Sequence, residues 1–410
     1  MNVGDKISVK TEEADYTGTV MPEAQGYLIL KLSNGYNIGI NKKKVKETKA
    51  IEYYKETPHI SPKIEQKKGL PKITILHTGG TIASKIDYVT GGVIARFEPE
   101  ELLAMFPEIR EIADIKSRLL SKMWSENMRF AHYNRMAEAV QEEIINGADG
   151  IIITHGTDTL HYTGAALSFI LKDLPIPVIL VGAQRSSDRP SSDAALNLIS
   201  ATKFIANTDF SDVGICMHAT TSDEECVIMP GKNTRKNHSS RRDAFQTINE
   251  QPWAVIDNDK IALRPGYVKK DKKRKLTILP IKENLKIGLL PSHPNMWAVE
   301  VDSYEGFDGV VLEGTGLGQM PIIESDNYTK ENVKILNSIK KLITDGTKVA
   351  ITTQTISGIL DLNVYSAGRE LLETGVIGNY CKMTPETAYI KLAWVLSNYP
   401  DKIKEYFEKE

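Results

Sequence analysis

Cysteine is scarce in this sequence of 410 residues. The three cysteines are Cys216, Cys226 and Cys381, and no two of them form a C-x-x-C pair. An odd number without paired spacing argues against a disulfide framework and against a cysteine zinc site, and it suits a reducing cytosol. We therefore expect neither disulfides nor a cysteine-bound metal.

Long hydrophobic runs and an excess of one charge are also missing. No apolar stretch approaches the length of a membrane span, and the N-terminal stretch MNVGDKISVKTEEAD carries charges where a signal peptide needs an apolar core. We therefore expect a cytoplasmic protein without membrane contact. The formal net charge of −2 argues against nucleic-acid binding over the whole surface and leaves room for a local basic face.

The length predicts two or three domains. Short alternating strands in the first fifty residues, with an Asn34-Gly35 hairpin turn, predict a small all-β barrel. Strands then alternate with helices, which predicts an α/β core with a parallel sheet wound on both faces. A helix begins at Thr384-Pro385, interpreted as the last one, with threonine as the N-cap. The predicted divisions are a barrel at residues 1–52, a linker at 53–71, a first α/β domain at 72–265, a connection at 266–284 and a second α/β domain at 285–410.

Two predicted strands end in glycine and threonine. ITILHTGGTIAS places Thr81 behind the glycine pair Gly79-Gly80, and DGIIITHGTDT places Thr157 and Asp158 behind a second apolar strand. Ligands of open α/β sheets bind beyond the carboxyl ends of the strands, so these residues are expected to share one crevice. Capping of the following helices is the alternative. A threonine hydroxyl needs a partner that takes its proton, and Asp158 coupled to a lysine would serve.

TGGTIAS and THGTDT together resemble the paired signatures of the L-asparaginase/glutaminase family, and the resemblance extends from Lys72 to the C-terminus. It implies an asparaginase-like two-domain core that hydrolyses side-chain amides. Thr81 would be the nucleophile that forms an acyl-enzyme and releases ammonia, supported by Thr157, Asp158 and a lysine. Lys236 in NTRKNHSSRRDAF is the best match to that lysine, and Lys232 is the competitor.

The same resemblance implies further roles. Ser125 and Glu126 in WSEN match the turn that binds the α-carboxylate and α-amine of the ligand, and Tyr88 has no clean counterpart. Gln246 stands where one branch of the family carries its lysine. The family needs no metal, so His155, Asp158 and His161 are not expected to bind one.

The first fifty residues depart from free-standing members of that family. GTVMP followed by LILKLSNGYNIGI resembles the N-terminal domain found in archaeal glutamyl-tRNA(Gln) amidotransferases. This implies a glutaminase whose ammonia passes to a partner subunit, GatE, which uses ATP and magnesium to amidate glutamyl-tRNA(Gln). The chain itself would need no cofactor, would take free glutamine with asparagine tolerated, and would form a homodimer within a heterotetramer. A mobile loop at residues 84–94 is expected to close only in the complex.

Alternatives stay open. A free-standing L-asparaginase would turn over asparagine without a partner, and an inactive scaffold would use the fold only to hold GatE. The lysine runs at residues 41–46 and 269–275 could touch RNA phosphates, although a partner protein is the preferred use of the N-terminal domain.

Overall fold

A computed structural model describes residues 2–33, 36–53, 69–80, 84–86, 93–95, 106–185 and 191–409, with the short segments 84–86 and 93–95 described by their backbone. Within these ranges the chain forms a small N-terminal β domain and two α/β lobes, here called the main lobe and the C-terminal lobe. Cys216, Cys226 and Cys381 are buried free thiols.

The N-terminal domain is a five-stranded antiparallel sheet. Its strands are β1 (Lys6–Thr11), β2 (Asp15–Ala24), β3 (Tyr27–Leu32), β4 (Asn37–Asn41) and β5 (Val45–Glu52), in the order β4-β3-β2-β1-β5. A 3₁₀ turn at Lys42–Lys44 joins β4 to β5. Alternate side chains pack inward, which is the period-2 pattern of a half-buried strand. The small all-β domain is therefore confirmed, while closure into a barrel stays a prediction and the Asn34-Gly35 turn lies outside the described residues.

The main lobe contains an eight-stranded mixed sheet in the order β18-β17-β14-β13-β12-β10-β6-β9. Five of these strands are parallel: β6 (Lys72–Gly79), β9 (Asp114–Met123), β10 (Gly150–Thr154), β12 (Val178–Val181) and β13 (Val213–His218). The other three are antiparallel at one edge: β14 (Glu225–Pro230), β17 (Ala254–Asp257) and β18 (Lys260–Leu263). The predicted parallel sheet is thus the larger part of a mixed one, and it extends to the edge strand β9.

Short strand pairs complete the lobe. They are β7 (Ser84–Ile86) with β8 (Val93–Ala95), β11 (Leu171–Lys172) with β19 (Thr277–Ile278), and β15 (Thr234–Lys236) with β16 (Phe245–Thr247). The segment predicted as a loop at 84–94 therefore has paired ends. Tyr88 and the other residues between those ends lie outside the described residues.

Helices cover both faces of the main sheet, as expected for parallel strands that are buried on both sides. Every residue of β10 and β12 is buried. One face packs on α2 (Phe130–Ile145) and α3 (Leu160–Ile170), and the other packs on α1 (Ile109–Ile112) and α4 (Ala194–Asn207). The prediction of a sheet wound on both faces is confirmed.

The C-terminal lobe has a parallel three-stranded sheet of β20 (Ile287–Pro291), β21 (Gly309–Gly314) and β22 (Lys348–Thr353). Its remaining helices are α5 (Ala298–Asp302), α6 (Glu331–Thr344), α7 (Ser366–Thr374), α8 (Pro385–Asn398) and α9 (Ile403–Glu408). The helix at Pro385 was predicted, but it is not the last, since α9 follows it.

Helix α8 joins the two lobes. One hydrophobic cluster includes strand residues of both sheets together with α3 and α8. The Trp394 ring stacks on Phe169 with the ring centroids 5.5 Å apart, and its Nε1 donates to the Leu279 carbonyl at 3.1 Å. Because the lobes share a core, the predicted boundaries at residues 265 and 284 stay predictions.

The first turn of α8 generates a testable prediction. Thr384 is the N-cap, and its hydroxyl accepts a hydrogen bond from the Thr387 backbone N–H at 3.2 Å. We expect Thr384→Ala to lower the free energy of unfolding by about 1 to 2 kcal/mol, because a buried backbone N–H loses its acceptor. Thr384→Ser keeps the acceptor and should stay within about 0.5 kcal/mol of wild type in chemical denaturation. Equal losses in both variants would contradict the capping role.

Candidate active site

Two glycine-bearing strand ends touch at the carboxyl edge of the main sheet. β6 and β10 are parallel neighbours, and they are followed by Gly80 and by the His155-Gly156 peptide. Gly80 has φ +80°, and a Cβ added to it would lie 2.3 Å from the Gly156 nitrogen. Only glycine tolerates both that conformation and that approach. Thr81, the next residue in the chain, lies outside the described residues.

The loop after β10 meets a lysine from the β15–β16 hairpin. Lys236 Nζ donates to Thr157 Oγ1 at 3.0 Å and to Asp158 Oδ1 at 2.7 Å. The Lys236 side chain is 9% exposed, whereas that of Asp158 is 70% exposed. The described structure therefore brings together three of the predicted residues: a buried ammonium, a hydroxyl and a carboxylate.

Thr157 has a second polar neighbour that the sequence analysis missed. Its hydroxyl lies 3.4 Å from Gln184 Oε1, and Gln184 follows β12, the next strand of the sheet. The buried Asp193 carboxylate accepts from the backbone N–H groups of Gln184 and Arg185, both at 3.0 Å. A polar residue directly after an apolar strand, as in VILVGAQ, was the signal that could have indicated Gln184.

Two buried, uncharged histidines make polar contacts at the ends of β6 and β10. His77 Nδ1 lies 2.9 Å from Thr154 Oγ1 and its Nε2 lies 2.8 Å from Ser117 Oγ, and burial lowers the pKa of His77 to about 4. Burial likewise lowers the pKa of His155 to about 4, and its ring contacts the Gly156 carbonyl at 2.8 Å and Thr163 Oγ1 at 2.9 Å. Both rings are therefore uncharged near neutral pH, and their nitrogens link hydroxyl and carbonyl groups of neighbouring segments.

The turn that follows β9 reaches the same edge. Ser125 is 3% exposed, and a Cβ on Gly156 would lie 2.8 Å from its Cβ. The Ser125 carbonyl accepts from Thr159 Oγ1 at 2.6 Å, which ties this turn to the start of α3. Glu126 is exposed. A cavity of about 570 Å³ between the two lobes is lined by both residues, with Thr159, Tyr162 and Leu289.

The other candidate residues lie elsewhere. Lys232 Nζ sits 5.6 Å from the centroid of the Phe169 ring and lines a different cavity, with Asp212. Gln246 pairs with Arg235 across the hairpin, and its Oε1 accepts from Asn237 Nδ2 at 3.1 Å. Of the two candidate lysines, Lys236 is therefore the one that contacts Thr157 and Asp158.

Metal-binding groups and membrane helices are both missing from the described part of the chain. There, no group of three or more histidine, cysteine or acidic side chains is arranged to hold a metal ion. The helices of these same residues include none whose length and apolar character would let it cross a bilayer.

Family models match three parts of the chain. The model "Asparaginase, N-terminal" matches residues 72–268, and "Glutaminase/Asparaginase C-terminal domain" matches residues 286–407. The thermostable L-asparaginase from Thermococcus kodakarensis superposes with a TM-score of 0.72 at 31% identity, covering 83% of this chain and 97% of that one. The two lobes are thus an asparaginase-type α/β core.

The N-terminal domain and the full-length relatives narrow the assignment. The model "GatD N-terminal domain" matches residues 1–51. The D subunit of glutamyl-tRNA(Gln) amidotransferase from Pyrococcus furiosus is 45% identical over 98% of this chain and 91% of its own length. Its counterpart from Methanococcus maripaludis strain C7 is 42% identical over 100% of this chain and 97% of its own. The chain belongs to the GatD family, the D subunits of glutamyl-tRNA(Gln) amidotransferases.

The glycine contact generates the second prediction. We expect Gly80→Ala to lower the free energy of unfolding by about 3 kcal/mol or more, because strain at positive φ adds to the collision with Gly156. Gly147→Ala is the matched control, since Gly147 has φ +86° and nothing within 4 Å of an added Cβ. It should cost only about 1 to 2 kcal/mol in chemical denaturation. Equal losses of unfolding free energy in the two variants would show that the close approach to Gly156 does not restrict the residue at position 80.

Proposed function

We propose that this chain is the glutaminase subunit of a glutamyl-tRNA(Gln) amidotransferase. It hydrolyses the side-chain amide of glutamine and supplies ammonia for the conversion of glutamyl-tRNA(Gln) to glutaminyl-tRNA(Gln). The observation that carries the proposal is the contact of Lys236 Nζ with both Thr157 and Asp158, beside the strand end that Thr81 follows. These are the groups that a hydroxyl nucleophile needs for its activation, and the same chain carries an N-terminal domain of the GatD type.

Thr81 is proposed as the nucleophile. Its hydroxyl oxygen attacks the amide carbon, the carbon–nitrogen bond breaks, and the hydroxyl proton goes to the leaving nitrogen, which departs as ammonia. Water then attacks the resulting ester, glutamate leaves and the hydroxyl regains a proton. The close approach of Gly80 to Gly156 supports this role, because it holds the residue before Thr81 against the loop of Thr157.

Lys236, Thr157 and Asp158 are proposed to move the proton. Thr157 Oγ1 accepts from Lys236, so its own proton is available to a second acceptor, which in the described structure is Gln184 Oε1 at 3.4 Å. The Asp158 carboxylate holds the ammonium by an ion pair at 2.7 Å. In a concerted relay, Thr157 would accept the Thr81 proton as it gives its own proton to the leaving nitrogen, while the Lys236 ammonium keeps its protons and orients the Thr157 hydroxyl.

Substrate recognition is proposed for the turn after β9. The Ser125 hydroxyl would bind the α-carboxylate and the Glu126 carboxylate the α-ammonium of glutamine. The burial of Ser125 against Gly156 and the exposure of Glu126 beside a cavity support these roles. Neither contact depends on the length of the substrate side chain. Asparagine, which is shorter than glutamine by one methylene, is therefore expected to be tolerated.

The partners are proposed from the same assignment. GatE would receive the ammonia, bind most of the tRNA, and supply ATP and magnesium for activation of the glutamyl group, in the cytoplasm. Two copies of this chain are proposed to pair within a heterotetramer. Exposed apolar side chains on the loops and helices of the C-terminal lobe support such pairing, namely Trp297, Val299, Ile356, Ile359 and Tyr365.

The role within a complex and a free-standing L-asparaginase make different predictions for ammonia release. We expect the purified chain to hydrolyse glutamine slowly, and GatE with glutamylated tRNA to raise the rate at least about tenfold, because the site is completed only in the complex. Ammonia release from glutamine and from asparagine, with and without GatE and the tRNA, measures this. Thr81→Val should abolish release in every arm. Full activity of the chain alone would favour the free-standing enzyme, and an active Thr81→Val variant would exclude Thr81 as nucleophile.

The two lysines give a sharper test of the site. Lys236→Met should reduce kcat by about a thousandfold or more, because it removes the ammonium that contacts Thr157 and Asp158. Lys232→Met is the matched control, since it deletes the same charge four residues away, beside Phe169. Its kcat should stay within about threefold of wild type in the full complex. The reverse pattern would show that Lys236 has no part in proton transfer.

A further inference from the structure

A largely buried polar cluster, built on the Arg235–Glu386 ion pair, connects the C-terminal lobe to the candidate active site. Its centre is the Glu386 carboxylate in the first turn of α8, and Glu386 is 8% exposed. Glu386 Oε1 lies 3.1 Å from Arg235 Nε and 3.7 Å from His161 Nε2. Arg235 and His161 both belong to the main lobe, so this one carboxylate spans the two lobes.

Both partners of Glu386 are next to site residues in the sequence. Arg235 precedes Lys236 in β15, and successive side chains of a strand point to opposite faces. Arg235 therefore reaches α8 while Lys236 reaches the site. His161 lies in the first turn of α3, directly after the loop that carries the other two members of the Lys236 contact. The Glu386 carboxylate thus contacts both β15, which carries Lys236, and α3, which follows the loop of Thr157 and Asp158. The relative position of these two segments determines whether Lys236 reaches that loop.

Further hydrogen bonds tie the same hairpin region to the C-terminal lobe. The Asn233 backbone N–H donates to Thr387 Oγ1 at 3.2 Å. Asn249 Nδ2 donates to the carbonyls of Gly358 and Lys382, both at 2.9 Å. These hydrogen bonds hold the two ends of the hairpin region, at Asn233 and Asn249. Glu386 instead contacts Arg235, the residue next to Lys236.

The cluster around Glu386 is not arranged in the way that would best stabilise the fold. Among the described residues, Glu386 Oε2 and His161 Nδ1 are buried and have no hydrogen-bond partner. Such atoms cost free energy, and a buried ion pair is often no better for stability than apolar side chains of the same volume. Two unpaired polar atoms at this position are better explained by a need to fix geometry than by a gain in stability.

We propose that Glu386 is a positioning residue for amide hydrolysis: through Arg235 and His161 it fixes the Lys236 ammonium against Thr157 and Asp158. The inference rests on the proposed function of that site. It assigns the C-terminal lobe a direct part in assembling the proton-transfer group of the main lobe. In the described structure, Glu386 contacts neither of the proposed substrate-binding residues, Ser125 and Glu126. Its replacement is therefore expected to change kcat and to leave KM nearly unchanged.

The experiment measures kcat and KM for ammonia release from glutamine by the complete complex. Glu386→Ala should lower kcat by about 30- to 100-fold while KM stays within about twofold, because displacing a catalytic group by about 1 Å has such an effect. Glu386→Gln keeps a side-chain oxygen of the same reach beside Arg235 Nε, which lies 3.1 Å from Glu386 Oε1, and it should recover kcat to within about fivefold of wild type. The double variant Glu386→Ala/Arg235→Met should be no slower than Glu386→Ala alone.

Trp394→Phe is the control, since it disturbs the same helix far from the cluster, and its kcat should stay within about twofold of wild type. An unchanged kcat in Glu386→Ala, or a fall matched by Trp394→Phe, overturns the positioning role. If Glu386→Ala does not fold, Arg235→Lys carries the test: it replaces the Nε donor, and an unchanged kcat again overturns the proposal. Should Lys236→Met remain active, the proposed function fails; should only Glu386→Ala remain active, the positioning role fails alone.

Discussion

A buried ammonium must have fixed partners, and the position of Lys236 depends on that requirement. An ammonium that is withdrawn from water loses its hydration, which costs free energy unless other polar groups replace that water. Here the Asp158 carboxylate and the Thr157 hydroxyl replace the water, at 2.7 and 3.0 Å. Because those partners sit on a loop of the main sheet and the lysine on a separate hairpin, the contact exists only when both are held. Much of the surrounding structure can be understood as the means of holding them.

The loop is held by close packing of backbone on backbone. Glycines at the ends of β6 and β10 remove side chains at the point of contact, and buried neutral histidines bind the adjoining carbonyl and hydroxyl groups. The hairpin is held differently, by polar contacts to the C-terminal lobe through Glu386, Thr387 and Asn249. The loop is therefore rigid with its sheet, while the lysine depends on how the two lobes are joined.

Much of this arrangement could be predicted from the sequence, for identifiable reasons. Apolar runs ending in T-G-G-T and T-H-G-T-D fix a parallel strand and a turn locally, so the strand ends and their residues were predictable. The strands β17 and β18 and the long strand β9 were not predicted, because they mix polar with apolar residues, and β14 was missed although it is largely apolar. Gln184 was missed although it follows a strand in the same manner as Thr157.

The lysine shows the limit of prediction from local sequence. Lys232 and Lys236 are four residues apart with the same charge and similar neighbours, and no periodicity of the chain separates them. What separates them is the pairing of β15 with β16, which turns Lys236 toward Asp158 and leaves Lys232 beside Phe169. That pairing is anchored by a glutamate about 150 residues further along the chain, since Glu386 holds the residue before Lys236. Which of the two lysines contacts Thr157 and Asp158 is thus a property of the joined lobes, and it becomes visible only when their contacts are known.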